Sequence, residues 1–300
     1  MNQDYIKRVN RILTFIDQNI DGELSLEKVA AIGHYSPFHL HRIFKEVTSE
    51  TLNSYINRKR IEKTAAMLMH RKDFSIAEIY LQNGFGSNSS FTRAFKKFYG
   101  VSPTQYRALS PDQFSKISQT DSKNGQVEGL IGDYICTMNE IKNWIDSNAT
   151  IEIKTLPKRD FAYITQIGVM GMSDAFGRLI KWATPLGLVQ SENLKLARIY
   201  HDSFKITAPE KVRMSVCILL DDKINVDGEV GLTTIPDGKF IIGRFEIEPK
   251  NFEKSWRGLF AWMNDNGYQK GDQNPFEIYH NDFNTHPEKK FIVDLHIPIK

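Results

Sequence analysis

The chain has 300 residues, of which 41% are hydrophobic and 25% charged, a balance typical of a globular protein with about two domains. No apolar run approaches the roughly 20 residues of a membrane span, and "MNQDYIKRVNRILTFIDQNI" lacks the apolar block of a signal peptide, so we expect a cytoplasmic protein. The net charge of +3 is uneven: residues 1–110 carry 16 Lys and Arg against 10 Asp and Glu, as expected for a nucleic-acid partner.

The first half contains an internal repeat. "GHYSPFHLHRIFK" starting at Gly33 recurs as "GFGSNSSFTRAFK" starting at Gly84, a shift of 51 residues, and a short amphipathic pattern precedes each copy. Glycine at the turn tolerates positive φ, and the hydroxyl of Ser36 or Ser87 can cap the following helix. Each copy is therefore predicted to be a helix-turn-helix unit.

The second helix of each unit has an apolar and a polar side. Apolar residues recur at three- and four-residue spacing and are expected to face the core. These are Leu40, Ile43 and Phe44 in the first unit and Phe91, Ala94 and Phe95 in the second. The outward residues are the candidate DNA contacts: Phe38, His41, Arg42, Lys45, Asn88, Ser89, Thr92, Arg93 and Lys96. The alternative is a pair of generic helical hairpins with solvated charged faces.

The segment between the repeats favours the DNA interpretation. "LNSYINRKRIEKTAAMLMHR", residues 52–71, is a periodic helix pattern without Gly or Pro. Such a helix spans about 30 Å, close to the ~34 Å turn that separates successive major-groove faces of B-DNA. One chain can thus place two recognition helices in adjacent major grooves of double-stranded DNA.

Residues 5–108 resemble the DNA-binding domain of AraC-type transcriptional regulators. The resemblance rests on "SPFHLHRIFK", "YINRKRI", "GFGSNSSFTRAFKKFYGVSPTQYR" and the order of seven helices. It implies that the outward residues contact bases and phosphates, and that the protein regulates transcription, as an activator in contact with RNA polymerase. Two positions depart from the family pattern: Ser49 stands at a usual glycine and Tyr80 at a usually small residue.

A polar segment separates the two halves. "SPDQFSKISQTDSKNGQVEG" is predicted to be a linker, and residues 134–147 fit one short helix. We expect a DNA-binding domain at 1–110, a linker at 111–149 and a second domain at 150–300.

The second half is also duplicated, at a shift near 79 residues. "RIYHDSF" at 198–204 matches "EIYHNDF" at 277–283, and "TLPKRDF" at 155–161 matches "TIPDGKF" at 234–240. Each copy is predicted to be strand, strand, helix, strand, strand. The predicted strands are 151–156, 160–168, 196–201, 212–220, 230–235, 239–247, 276–280 and 291–297, and the helices are 173–187 and 252–266. Two such units related by a pseudo-twofold would pack both helices on one sheet face and leave a cleft between them.

The two copies differ at one charged position, which is Arg198 in the first and Glu277 in the second. Glu277 on an edge strand could simply face solvent. A carboxylate among aromatic rings instead suits a lipophilic cation, which gains a partner charge and cation–π attraction. Aromatic residues on the predicted strands and helices are expected to line or back this cleft: Tyr163, Phe176, Trp182, Tyr200, Trp256, Phe260, Trp262 and Tyr279.

Residues 151–298 resemble the GyrI-like effector-binding domain found in Rob-type regulators and in MerR-type multidrug sensors. The matching stretches are "EIKTLPKRDFAYI", "IYHDSF", "FEIYHND" and "DLHIPIK". The resemblance implies that Glu277 faces the pocket, and the candidate effector contacts are Glu277, Tyr279, Tyr163, Phe176, Tyr200, Trp256 and Phe260. "GVMG" at 168–171 departs from the Gly-Pro-Tyr of many relatives and leaves one pocket wall open.

The predicted fold is therefore an all-α domain of two helix-turn-helix units joined by a linker helix, followed by an α+β domain of two duplicated units. The predicted function is a DNA-binding regulator that senses a small lipophilic or cationic effector, with no enzyme activity, catalytic residue, cofactor, metal or membrane partner. Two alternatives remain: the second domain hydrolyses a small molecule, or it is inert. Cys136 and Cys217 are not spaced for a zinc site and are expected to be reduced and structural.

Overall fold

The computed structural model describes residues 3–71, 73–108, 140–190, 194–203, 207–222 and 224–300. It divides into two compact units, residues 1–125 with 202–212 and residues 126–201 with 213–300. Among the described helices, none is long and apolar enough to cross a membrane. The predicted linker up to residue 139 and Cys136 lie outside the described residues.

The first unit contains the seven predicted helices. They are α1 (Gln3–Gln18), α2 (Leu26–Ile32), α3 (Pro37–Thr48), α4 (Leu52–His70), α5 (Ile76–Leu81), α6 (Asn88–Tyr99) and α7 (Pro103–Ala108). As predicted, Ser36 Oγ caps α3 by accepting from the His39 backbone N–H at 3.3 Å, and Ser87 Oγ caps α6 by accepting from the Ser90 N–H at 3.2 Å. The two helix-turn-helix units are thus α2–α3 and α5–α6.

The turns of the two units differ from each other. Gly84 has a φ of 77°, whereas Gly33 has a φ of −89° and the positive φ of that turn falls on His34, at 53°. The expectation of a positive φ at both glycines is therefore wrong for Gly33. Gly33 is needed for space instead, because a Cβ there would lie 2.5 Å from the Cδ1 of Ile12 in α1.

Each helix-turn-helix unit has its own hydrophobic core, and α4 contributes to both. Tyr55 of α4 packs with Phe44 in the first core, while Ile61 and Ala65 pack with Phe95 in the second. Between these two ends, the buried guanidinium of Arg58 binds the carboxylates of two acidic residues. Its Nε lies 3.0 Å from Glu50 Oε1 and its Nη1 lies 3.0 Å from Glu62 Oε1. A single helix therefore ties the two units together.

The first described element of the second unit is a helix over residues 140–148, here α8. Its buried Ile141 and Ile145 fit the later part of the helix predicted at 134–147. The strands are β1 (Ala149–Leu156), β2 (Arg159–Ile167), β3 (Leu196–Tyr200), β4 (Arg213–Leu220), β5 (Gly231–Ile235), β6 (Gly238–Ile247), β7 (Phe276–Tyr279) and β8 (Phe291–Ile299). The helices are α9 (Met172–Ala183) and α10 (Phe252–Asp265). The helix predicted to reach residue 187 ends at Ala183, because Pro185 turns the chain into a short 3₁₀ segment, Thr184–Leu186.

The eight strands form one antiparallel sheet in the order β1-β6-β8-β7-β3-β4-β2-β5. The first strand of each repeat pairs with the other repeat, so that β1 lies beside β6 and β5 beside β2. The third strands, β3 and β7, pair at the centre, where Arg198 lies directly opposite Glu277. The sequence-equivalent positions of the two repeats therefore meet at the pseudo-twofold axis.

The sheet has two buried faces. One carries α9 and α10, as predicted, since α9 packs on Ile164 and Val216 while α10 packs on Ile241 and Leu295. On the other face a second apolar cluster is buried, and no helix of the described part of the chain contributes to it: Leu156, Phe161, Ala197, Ile199, Cys217, Ile235, Phe240, Ile242, Phe276 and Ile278. Only two residues join β1 to β2, which lie near opposite edges, so the sheet must curl around this cluster.

Candidate functional sites

The predicted DNA-contact residues lie on the outer faces of α3 and α6. Eight of the nine are exposed, and Thr92 is half-buried. Phe38 is the most exposed large apolar side chain described, at 85%. The inward residues are buried as expected, apart from Ala94, which is half-buried.

On α3, the outward residues share one concave patch. Phe38, His41, Arg42 and Lys45 line it together with Glu46, which the sequence prediction did not include. On α6, the Thr92 hydroxyl donates to Asn88 Oδ1 at 3.1 Å, which orients the amide at the start of the helix. Both helices thus present polar and cationic groups suited to base edges and phosphates.

The second site surrounds Glu277, which is fully buried rather than solvent-facing. Its carboxylate accepts three hydrogen bonds: from the Tyr200 hydroxyl to Oε2 at 2.8 Å, from Trp256 Nε1 to Oε2 at 3.2 Å, and from the Tyr279 hydroxyl to Oε1. Strand pairing brings Tyr200 and Tyr279 to the same face as Glu277, and α10 supplies Trp256. The carboxylate is therefore held by three neutral donors from three elements.

Arg198 supplies the charge that balances Glu277. Its Nε lies 3.2 Å from Glu277 Oε1, and its terminal nitrogens donate to Tyr279 Oη at 2.6 Å and Tyr200 Oη at 3.3 Å. Its Cζ lies 5.8 Å from the Tyr200 ring centroid and 5.9 Å from that of Tyr279, within cation–π range. The arginine thus occupies a cage made of a carboxylate and two aromatic rings.

The protonation of the cage follows from its burial and its charges. Burial lowers the pKa of Arg198, but the Glu277 carboxylate raises it, and the outcome is a pKa above the ordinary value. Burial raises the pKa of Tyr200 and of Tyr279 well above the ordinary value, so both remain neutral hydroxyls near pH 7. The cage therefore combines the Arg198 cation with two neutral phenol hydroxyls that donate to Glu277.

The structure brings together most of the predicted effector residues but not all. Phe176 lies 6.2 Å from the Tyr279 ring and Phe260 lies 6.0 Å from the Trp256 ring, measured between centroids. Tyr163 is on the opposite face of the sheet, where it pairs with Cys217 and lies across Gly231. Its inclusion was wrong, because alternate residues of β2 point to opposite faces and its neighbours Ala162 and Ile164 face the helices.

Two further aromatic residues lie outside the cage. Trp182 donates from Nε1 to Asp227 Oδ1 at 2.9 Å, and Trp262 stacks on Tyr268 with ring planes 9° apart. Trp182 and Trp262 therefore pack in the domain and do not line the cage.

The segment "GVMG", residues 168–171, which differs from the pattern of many relatives, forms a turn before α9. In this turn Gly168 and Gly171 have positive φ, and Met170 is 83% exposed.

The sequence prediction missed the role of Arg198. It identified Arg198 as the repeat counterpart of Glu277 but did not pair them. The signal was present, since a pseudo-twofold between the repeats brings equivalent positions of the central strands face to face. The predicted open cleft is instead filled by the chain's own guanidinium.

Two family profiles match the chain. The profile of the GyrI-like small molecule binding domain matches residues 149–300, and that of a helix-turn-helix domain matches residues 29–109. Right origin-binding protein of Escherichia coli K12 is 39% identical over 150 residues, 45% of this chain and 52% of that protein. Transcriptional regulator Rob of Salmonella typhimurium is 39% identical over 102 residues, 34% of this chain and 35% of that protein. The chain spans about half the length, or less, of these curated relatives.

Solved structures are more distant. The cryo-EM structure of an EcmrR-DNA complex in EcmrR-RPo is 15% identical, with a TM-score of 0.42 over 92% of this chain and 98% of that chain. The crystal structure of the EcmrR C-terminal domain is also 15% identical, with a TM-score of 0.41 over 51% of this chain and 98% of that chain. Likeness at this level does not by itself establish a shared arrangement.

Proposed function

Because the chain belongs to the GyrI-like family and carries an AraC-type helix-turn-helix domain, we propose that it is a DNA-binding transcriptional regulator whose GyrI-like domain binds a small effector. The observation that carries the DNA-binding part is the paired outward faces of α3 and α6 on one basic unit. Helix α4 has 19 residues and spans about 28 Å, which suits readers in adjacent major grooves.

The DNA-binding proposal is tested by sequencing genomic fragments retained by the purified chain. The enriched fragments should share a motif with two half-sites about one turn apart. Arg42→Ala and Arg93→Ala should each weaken binding to such a fragment by about 1–3 kcal/mol, because a guanidinium that reads guanine makes two hydrogen bonds.

Two further variants distinguish sequence-specific contacts to bases from sequence-independent electrostatic attraction to phosphates. Lys45→Ala removes a predicted phosphate contact, and it should weaken binding to all sequences and lower the salt slope by about one. Lys63→Ala removes an exposed charge from α4, outside both predicted faces, and it should leave sequence preference unchanged. Retention of fragments without any shared motif would contradict a sequence-specific regulator.

For the effector, the proposal is a lipophilic cation held at Glu277. The buried Glu277 carboxylate already holds one cation, the Arg198 guanidinium, and the surrounding rings offer apolar area and cation–π attraction to a positive group. Tetraphenylphosphonium is a suitable probe, and neutral triphenylphosphine oxide is its control. By calorimetry, Glu277→Gln should bind the cation at least several-fold more weakly than wild type, while binding of the oxide stays the same.

We also propose that the domain senses its effector without transforming it, that the regulator acts in the bacterial cytoplasm, and that it activates transcription by contacting RNA polymerase. Fusion of the effector domain to a DNA reader supports sensing over catalysis, and the named curated relatives are bacterial. In vitro transcription from an enriched promoter should rise when the chain is added. A fall in transcript would indicate repression.

A further inference from the structure

The Glu277 site already has the form of a cation-binding cage, and its occupant belongs to the chain. A carboxylate and two tyrosine rings, whose centroids lie within 6 Å of the cationic carbon, surround the guanidinium of Arg198, and the Trp256 indole N–H donates to the same carboxylate. A free cation placed at the same point would find the same partners. A cation of guanidinium size therefore fits among Glu277, Tyr200 and Tyr279 where they lie, in the place of the Arg198 guanidinium.

The contact between Arg198 and Glu277 is not the strongest that these side chains can form. Arginine and carboxylate groups at their best make two parallel N–H···O bonds. Here both terminal nitrogens donate to tyrosine hydroxyls, and the closest approach to the carboxylate is that of Nε, 3.2 Å from Glu277 Oε1. Within the described residues, the Nε–H group is buried without a well-aligned hydrogen-bond acceptor. The guanidinium is thus an imperfectly matched occupant.

Arg198 also has a route out of the cage, which Glu277 does not. Its side chain is 21% exposed, whereas that of Glu277 is 0% exposed. Arginine is a long side chain that can keep its stem along apolar surface while its charged end reaches water. Glu277 cannot follow, so a departing arginine must be replaced by another cation to avoid an uncompensated buried charge.

We propose that Arg198 is a specificity-determining residue that fills the Glu277 cage in the empty protein and is displaced by the cationic group of the effector. This inference rests on the proposed effector function. It narrows the ligand class to monovalent cations with a flat or bulky apolar body, because the ligand must both exchange one positive charge for another and cover the rings that Arg198 uncovers. A neutral or anionic ligand cannot make this exchange.

The test uses the full chain with Arg198→Ala, Arg198→Met and the double variant Arg198→Ala/Glu277→Gln. Arg198→Ala leaves a guanidinium-sized space beside the carboxylate, so millimolar methylguanidinium should raise its melting temperature but not that of wild type. The double variant should lose this rescue, because the carboxylate charge that binds the probe is gone. Arg257→Ala removes an arginine whose ion pair among the described residues is with the exposed Glu253; it is the matched control and should behave as wild type.

Calorimetry with tetraphenylphosphonium gives the second readout. Arg198→Ala should bind this cation at least ten-fold more tightly than wild type, because no internal cation competes. Arg198→Met, which keeps the packing of the stem without the charge, should show the same gain if Arg198→Ala does not fold. Equal affinity in wild type and both variants, with binding still dependent on Glu277, would overturn displacement and leave the effector function standing. Failure of wild type and all variants to bind any cation would overturn both.

Discussion

Ser49 ends helix α3 in the left-handed region, with a φ of 59°. A side chain with a Cβ is strained there, and glycine is not. Ser49→Gly should therefore raise the free energy of unfolding of the first unit by roughly 0.5–1 kcal/mol. Lys63→Gly, at an exposed position inside α4, is the control and should lower it by about the same amount. Urea unfolding followed by far-UV circular dichroism measures both, and a destabilised Ser49→Gly would contradict the strain.

His296 is a buried histidine stacked on Phe276, with ring centroids 4.2 Å apart. Burial lowers its pKa to about 3; the Asp294 carboxylate raises that pKa and Arg159 lowers it further. The unfolded chain binds a proton near pH 6.5 and the folded chain does not, so His296 costs stability as pH falls from 6.5 towards 3. The loss is about 1.4 kcal/mol per pH unit.

Replacing His296 with Phe keeps the stack and removes the titrating group. The stability of the second unit should then depend less steeply on pH between 4 and 6 than in wild type, by about one proton. All four tryptophans lie in residues 144–262, so tryptophan fluorescence during urea unfolding reports this unit. Identical slopes in the two proteins would show that His296 is not held neutral.

At the level of single residues, the sequence predicted the sheet face of some aromatic side chains but not of all. Glu277, Tyr279 and Tyr200 share a face because alternate strand residues do, and this parity was visible in "EIYHNDF" and "RIYHDSF". The face of Tyr163 depended on the register of β2 against β4 and β5, which is set by pairing far along the chain. The Arg198–Glu277 contact was missed for the same reason, because it depends on the pairing of β3 with β7.

Helix α4 shows how one element fixes the geometry of two units. The buried Arg58 guanidinium binds Glu50 from the loop before α4 and Glu62 one turn further along α4. Arg60 adds contacts by donating to the carbonyls of Ile20 at 2.8 Å and Gly22 at 2.6 Å. These bonds limit rotation of the first helix-turn-helix unit about α4 and so maintain the spacing of α3 and α6.

Arg58→Ala should be strongly destabilising, because it removes the cation that lies 3.0 Å from each of two buried carboxylates, Glu50 and Glu62. We expect a loss of about 3–5 kcal/mol in the free energy of unfolding of the first unit. Arg71→Ala removes a partly exposed pair with Asp73 and should cost less than about 1 kcal/mol. If the two variants unfold at the same urea concentration, the Arg58 network does not hold the units together.

At the level of elements, the order of helices and strands predicted from the sequence agrees closely with the structure. Both repeats have clear periodicity and helix or turn signals, and the two copies support each other, so the order of helices and strands was predicted throughout the described residues. The exchange of β1 and β5 between the repeats was not predicted. Alternation within a strand defines its faces but not its neighbours.

At the level of the whole molecule, the two halves of the chain carry net charges of opposite sign. The first 110 residues carry a net charge of +6 and the remaining 190 a net charge of −3, from 23 Lys and Arg against 26 Asp and Glu. The basic half carries the two outward helix faces, whereas the acidic half has its key carboxylate buried and neutralised. Electrostatic attraction to DNA should therefore come from the helix-turn-helix domain.

One chain is proposed to read two adjacent major grooves of DNA. Hydroxyl-radical footprinting of the whole chain on a fragment enriched from the genome tests this directly. We expect two protected windows about 10–10.5 base pairs apart on one face of the duplex, with Arg42→Ala weakening one window and Arg93→Ala the other. A single protected window, or loss of the same window in both variants, would contradict the two-reader arrangement.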